Sequence, residues 1–167
     1  IIENTATFAY DEKLLPDIEE ELAKGEIEAI YFGTLAAIVE PGASVLFNWM
    51  KSAVGKVPII FDPNIRPTVC GDREKYQASV ARFLQIEDVV KASSDDIGWL
   101  YPDRHEFEVA KSWLDHGTKL VVITRGEKGL VGITQEHVIE VPGIEVEVID
   151  TVGAGDTVGA ILAEGIV

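Results

Sequence analysis

The sequence predicts an α/β fold, a three-layer sandwich on a mainly parallel sheet. Three observations lead there. Short apolar runs alternate with amphipathic helical segments, and polar turns rich in Gly or Pro follow the apolar runs, where an open α/β sheet binds its ligands. The last such turn, DTVGAGD at 150–156, lies between a strand-like run and a helix of small residues. With 167 residues and 47% hydrophobic content, a single domain over 1–167 can bury an ordinary core.

Taken in order, residues 1–10 show no clear period. Pro16 stands in the first turn of a helix whose Ile18 and Leu22 share a face and which Gly25 stops. Residues 27–32 read as a strand ending at Gly33 and Thr34. A second helix runs from about Gly42, with Val45, Leu46, Trp49 and Ala53 on one stripe and Gly55 as its stop. Strand 57–61 leads to the turn of Asp62, Pro63 and Asn64. Helix 72–85 presents Tyr76, Val80, Phe83 and Leu84, and strand 88–92 follows. Ser93 and Asp96 have the spacing of a capping box, with Asp replacing the usual Glu, and open a short helix through Trp99 and Leu100. Helix 105–116 presents Phe107, Ala110, Trp113 and Leu114 and feeds strand 119–124. Residues 130–133 and 138–141 form a hairpin, and 144–149 alternates β-branched residues with Glu as a half-exposed strand does. Val158, Ile161 and Leu162 mark a final helix over 157–165.

The formal net charge of -15, from 29 acidic against 14 basic residues, argues against a nucleic acid or an anionic membrane as partner. An acidic chain that binds a polyphosphate must gather its few cations at the site, which singles out Arg66, Arg125 and Lys128. Cys70 is alone, so neither a disulfide framework nor a zinc cluster is expected, and a reducing cytoplasm suits the chain. His105, His116 and His137 lack metal-ligand spacing and read as surface residues. No apolar run approaches a membrane span.

At 150–156, a strand, a Gly-rich turn and a helix N-terminus make an anion site, because unpaired N–H groups and the helix dipole point at one spot. Asp156 would repel an anion unless it does other work, such as taking a proton. A tight strand-to-helix turn with Asp156 as a cap is the competing and weaker reading of the stretch. Gly153, Gly155 and Gly159 give GxGxxxG, a near miss of the dinucleotide fingerprint, and no Walker A motif occurs. TRGEKG at 124–129 fits a polar hairpin turn as well as a ligand loop. DPNIRP at 62–67 has two prolines that rigidify the backbone around Asn64 and Arg66, and the Arg66 guanidinium can offer a planar fork to phosphate.

DTVGAGDT with its small-residue helix resembles the C-terminal signature of the ribokinase-like (PfkB) carbohydrate kinase family. FGTLA at 32–36, FDPNIRP at 61–67, VVKASSDDIGWLYP at 89–102 and VVITRGEKG at 121–129 fit the same family in the same order and look most like its fructokinase branch. The 2-keto-3-deoxygluconate kinases share a DPN turn of this type. The resemblance implies a partial ribokinase-like fold, the nucleotide-side half of a longer kinase without its N-terminal lid and its C-terminal end. It implies ATP-dependent phosphorylation of a sugar hydroxyl. Asp156 would take the proton from the attacking hydroxyl, and the N–H groups of Gly153, Ala154, Gly155 and Asp156 would form the anion hole for the γ-phosphate. Thr124, Gly126 and Gly129, with Arg125 beside them, would line the nucleotide-phosphate channel, while Arg66 and Asn64 would lie near the transferred phosphate or the sugar.

The family's NxxE motif, associated with magnesium and phosphate, maps onto 93–96. Asp96 would meet Mg2+ through water, and Ser93 and Asp96 depart from the family's Asn and Glu. Asp150 and the Val152 carbonyl match positions that hold a monovalent cation, K+, in some relatives. The implied partners are a small-molecule sugar and ATP, with intact chains pairing into a homodimer through the lid. Val158 and Gly159 stand where the signature usually continues with Phe and Asn. A nucleotide-binding protein without catalysis is the alternative from another class, and an NAD-dependent oxidoreductase rests on the glycine spacing alone.

Overall fold

Every apolar run predicted between helices in the first three quarters of the chain forms a strand. The computed structural model describes residues 11–145, 150 and 152–167. Strands β1 (Ile30–Gly33), β2 (Ile59–Asp62), β3 (Val89–Ser93) and β4 (Leu120–Thr124) pair in parallel, in chain order. The predicted hairpin extends the same sheet antiparallel as β5 (Leu130–Ile133) and β6 (Val138–Val141). Helices α1 (Ile18–Lys24), α2 (Gly42–Lys51), α3 (Arg73–Phe83), α4 (Ser94–Leu100), α5 (Glu106–Asp115) and α6 (Ala154–Ile166) complete the described elements.

The layers follow from the alternation of side chains along a strand. Phe32 of β1 stacks on Phe61 of β2 with ring centroids 4.9 Å apart, and both meet Phe83 of α3. Phe47 of α2 closes the group at 5.4 Å from Phe83. The neighbouring residue, Tyr31, points the other way, toward Gly159 of α6. Helix α6 therefore covers the face opposite to α2 and α3, and the sheet lies between two helical layers.

Local chemistry accounts for the helix ends. Asp17, Asp72 and His105 accept first-turn N–H groups of α1, α3 and α5. Ser93 and Asp96 form the predicted capping box, each accepting from the other's backbone N–H. All three histidines are exposed.

Three boundaries differ from expectation. Strands β1 and β2 start at Ile30 and Ile59 rather than at 27 and 57, because Ile27 and Val57 are apolar and pack on the core without pairing, so hydrophobicity alone does not mark where the ladder begins. On α2 the buried side chains are Ala43 and Met50, with Phe47, Leu46 and Trp49 partly buried, so the stripe passes through 43, 47 and 50 and Val45 falls outside it. Helix α6 starts at Ala154, inside the Gly-rich turn, and not at 157. Residues 146–149 of the strand expected over 144–149 lie outside the described residues, and Ile144 and Glu145 are not in a strand.

Candidate active site

The carboxyl ends of β2, β3 and β4 and the N-terminus of α6 converge on one cavity of about 940 Å³. Asn64 and Arg66 reach it from the turn after β2, and Ser93 and Asp96 from the turn after β3. Thr124, Arg125 and Gly126 come from the end of β4, and Gly155 from α6. Gly129 and Ala154 line an adjoining hollow of about 260 Å³ that shares Thr124, Gly126 and Gly155 with the first. The turn 124–129 and the turn 150–156, distant in sequence from the DPNIRP turn, thus surround one space.

The first turn of α6 has an unusual opening. Gly153, its N-cap, holds a left-handed backbone (φ 83°) that β-carbon-bearing residues rarely adopt, and no side chain caps the turn. The N–H groups of Ala154, Gly155 and Asp156 lie in the first turn, ahead of the i to i-4 bond that Thr157 donates to Gly153, where a helix leaves its N–H groups without an intrahelical partner. Asp156 is exposed in that first turn, and no protein donor among the described residues occupies its carboxylate. Asp150 accepts the Val152 N–H at 2.9 Å, which shapes the approach to the turn, and Val152 is exposed.

Cations gather here, as an acidic chain with an anionic ligand requires. Arg66 and Lys128 line the cavity, and Arg66 is exposed. Arg125 is more committed: its guanidinium meets Glu106 at 2.6 Å and Glu140 at 3.2 Å and lies 5.2 Å from the centre of the Phe107 ring. Its charge is largely spent on these carboxylates. Asn64 adopts φ 39°, the strained corner of the DPNIRP turn, and the Tyr76 hydroxyl accepts the Arg66 N–H at 3.2 Å.

Asp96 has a clear local role. One oxygen accepts the Ile65 N–H at 2.8 Å, and the other accepts the N–H and hydroxyl of Ser93 at 3.0 and 2.6 Å. It ties the DPNIRP turn to the start of α4. Asp95, exposed beside it, also lines the cavity.

Three participants escaped sequence reasoning. Lys91 of β3 reaches the cavity floor, donating to Asp62 at 2.7 Å, and both side chains are buried. Tyr31 donates to the same Asp62 oxygen at 2.7 Å. Burial pushes the Asp62 carboxyl above its ordinary value, against the pull of Lys91 and of the Tyr31 hydroxyl. Burial and the Asp62 carboxylate in turn raise the Tyr31 phenol. Glu106 holds Arg125 and accepts from Ser94 at 2.7 Å at the cavity wall. The overlooked signal for Lys91 was a lone cation inside the apolar run VVKA.

Comparison with known proteins places this geometry. The chain is 35% identical to a fructokinase of Rhizobium leguminosarum bv. trifolii over 96% of its own length and 51% of that protein's. It is 32% identical to a fructokinase-2 of Oryza sativa subsp. japonica over 79% of its length and 40% of that protein's. It superposes with a TM-score of 0.71 on a Vibrio cholerae fructokinase crystallised with fructose, ADP and potassium, at 32% identity, covering 81% of this chain and 44% of that one. The fold alone is also shared with an aminoimidazole riboside kinase of Salmonella enterica, at a TM-score of 0.78 and 24% identity over 98% and 54% of the two chains. The chain thus spans about half the length of the relatives it matches. Residues 1–167 match the pfkB family carbohydrate kinases as one stretch, and with the glycine turn on α6, the cations and the mainly parallel sheet in their places, the chain belongs to that family.

Proposed function

We propose that the full-length protein is an ATP-dependent sugar kinase of the fructokinase type, and that this chain carries its phosphate-transfer end. The observation that carries the proposal is the first turn of α6, which brings Gly155 to the cavity that Arg66, Lys91 and Lys128 line, with Asp156 exposed one residue further on.

The residues suit a polyphosphate: main-chain N–H groups at a helix N-terminus, a backbone free of side-chain bulk at Gly155, and Arg66 and Lys128 at the wall. In the proposed step the Asp156 carboxylate accepts the proton of a sugar hydroxyl as its oxygen attacks the γ-phosphorus. The bond to the β-phosphate oxygen breaks, and ADP leaves with that electron pair. The N–H groups of Gly153 to Asp156 stabilise charge on the transferring group. Thr124, Gly126 and Gly129 line the nucleotide side. Asn64 and Arg66 face the sugar or the moving phosphate.

No cluster of three metal-ligating side chains occurs among the described residues. That suits magnesium, which keeps several waters and is held mainly by substrate phosphates. Asp95 and, through water, Asp96 are the acidic residues placed to meet it, and the ion would neutralise phosphate charge. Asp150 and the Val152 carbonyl are proposed for a monovalent cation such as K+. Pairing of intact chains belongs to the same proposal, as does work in the cytoplasm.

The test is coupled detection of ADP with the full-length protein and a sugar panel that includes fructose and 2-keto-3-deoxygluconate. Sugar-dependent ADP is expected, and Asp156→Asn should lower turnover by about 10²- to 10⁴-fold while ATP still binds. Absence of sugar-dependent ADP from the wild type, or full activity of the variant, overturns the proposal. ATP binding without turnover would favour a non-catalytic nucleotide-binding protein.

A further inference from the structure

Lys91 has more hydrogen-bonding capacity than the fold consumes. Its ammonium carries three N–H donors, and among the described residues one acceptor, Asp62, is in reach. The side chain is 5% exposed and its partner 2%, so water does little to satisfy the remaining donors. A buried ammonium with spare donors is costly unless something anionic completes it. The spare donors lie at the cavity floor, beside the open turn of α6. A β-carbon placed on Gly155 would come within 2.9 Å of Lys91 Nζ, so the glycine at the centre of the turn is also what lets the ammonium approach it.

The ammonium is also fixed in place. Asp62 and Lys91 project from neighbouring strands on the α6 face, and Tyr31 from the third strand donates to the same Asp62 oxygen. A cation held this way needs no rearrangement when charge develops beside it, which is the condition for electrostatic stabilisation of a transition state. Arg66 is exposed, and Arg125 is bound to two carboxylates. Lys91 differs from both in being buried, single-partnered and adjacent to Gly155.

We infer that Lys91, anchored by Asp62 and Tyr31, contacts the transferring phosphoryl group from the cavity floor and completes the anion hole formed by the α6 N-terminus. This rests on the kinase reading above, which supplies the phosphoryl group. The lysine donates hydrogen bonds and neither gains nor loses a proton in the step.

The experiment uses the full-length protein and compares the wild type with Lys91→Met, Lys91→Arg and the double variant Asp62→Asn/Lys91→Met. The double variant removes both charges together, so it guards against misfolding around a lone buried carboxylate. Two quantities are read: kcat against KM for ATP, and calorimetric affinity for ADP with and without aluminium fluoride, which mimics the phosphoryl group in flight. The expectation for Lys91→Met and for the double variant is a fall in kcat of about 10²- to 10³-fold with little change in KM for ATP. Both should lose about tenfold or more in fluoroaluminate-dependent affinity while ADP alone binds as before, in line with one charge-assisted hydrogen bond. Lys91→Arg should recover part of both. A double variant that regains wild-type kcat and fluoroaluminate affinity would show that Lys91 merely neutralises Asp62 and would overturn the inference. Equal loss of ADP and fluoroaluminate binding would overturn it as well. If the wild type forms no ADP with any sugar, the kinase reading fails, and the fluoroaluminate comparison still decides whether Lys91 senses an anion at that position.

Discussion

On one face of the sheet, Phe32, Phe61 and Val90 meet α2 and α3 in a dry aromatic cluster with ring centroids 4.9 to 5.5 Å apart. On the other, the adjacent residues Tyr31, Asp62 and Lys91 are joined to one another by two 2.7 Å hydrogen bonds, and Tyr31 and Lys91 lie against Gly159 and Gly155 of α6. The same three strands build both faces, one residue apart. The first face supplies burial, each large apolar side chain contributing about 1.5–3 kcal/mol. The second uses burial differently, placing charge where water cannot screen it, at the end of the sheet where α6 opens. A one-residue slip of any of these strands would exchange the two roles.

Substitutions can test how separable the faces are. The largest effect is expected on the apolar side: Phe83→Ala, at a fully buried ring touching Phe32, Phe47 and Phe61, should cost about 3–5 kcal/mol in denaturant unfolding. If catalysis lives on the other face, the kcat of the folded fraction should change little.

A second comparison sets Asp62, which has a counter-ion, beside Glu87, which among the described residues has only the Thr118 hydroxyl at 2.6 Å and no partner for Oε2. Burial pushes the Glu87 carboxyl up to about 8 from 4.5. Between those values the native state holds a proton that the unfolded state has released, so stability falls as pH rises from about 4.5 to about 8 and levels off above. Glu87→Gln should remove this slope: its thermal midpoint should exceed that of the wild type clearly at pH 8 and little at pH 5. Parallel pH profiles for the two proteins would contradict the assignment.

The smallest effect concerns the contact between the polar face and α6. A β-carbon at Gly159 would lie 2.6 Å from the Tyr31 ring, which is pinned by its bond to Asp62. Gly159→Ala should cost about 1–3 kcal/mol from overpacking, and Tyr31→Ala in the same chain should relieve most of it. Non-additivity in that double-mutant cycle is the measurement. The pair also accounts for the departure from the family signature at Gly159: the tyrosine takes the space that a side chain at 159 would occupy.

Much of the architecture was legible because its signals are local. The Ser93–Asp96 capping box and the β5–β6 hairpin depend on residues a few positions apart, and each forms as its spacing predicts. The Gly-rich turn could be recognised as the start of a helix for the same reason. The starts of β1 and β2 could not be read, since Ile27 and Val57 are as apolar as the paired residues and pack on the core without joining the ladder. The α2 stripe was legible in part: Leu46, Trp49 and Ala53 pack on the core as their spacing predicts, while Met50 rather than Val45 is fully covered.

By itself, the sequence determined the order of elements, the position of the polar turns after the strands and the presence of an acid, Asp156, beside a Gly-rich helix start, because caps, turns and periods are short-range properties. The tertiary structure decided which distant groups share the site. Tyr31, Asp62 and Lys91 lie about 30 residues apart in pairs and meet through parallel strand register, a relation fixed by how whole elements pack. Lys91 illustrates the difference: in the sequence it is an oddity in an apolar strand, and in the fold it is a buried cation beneath Gly155.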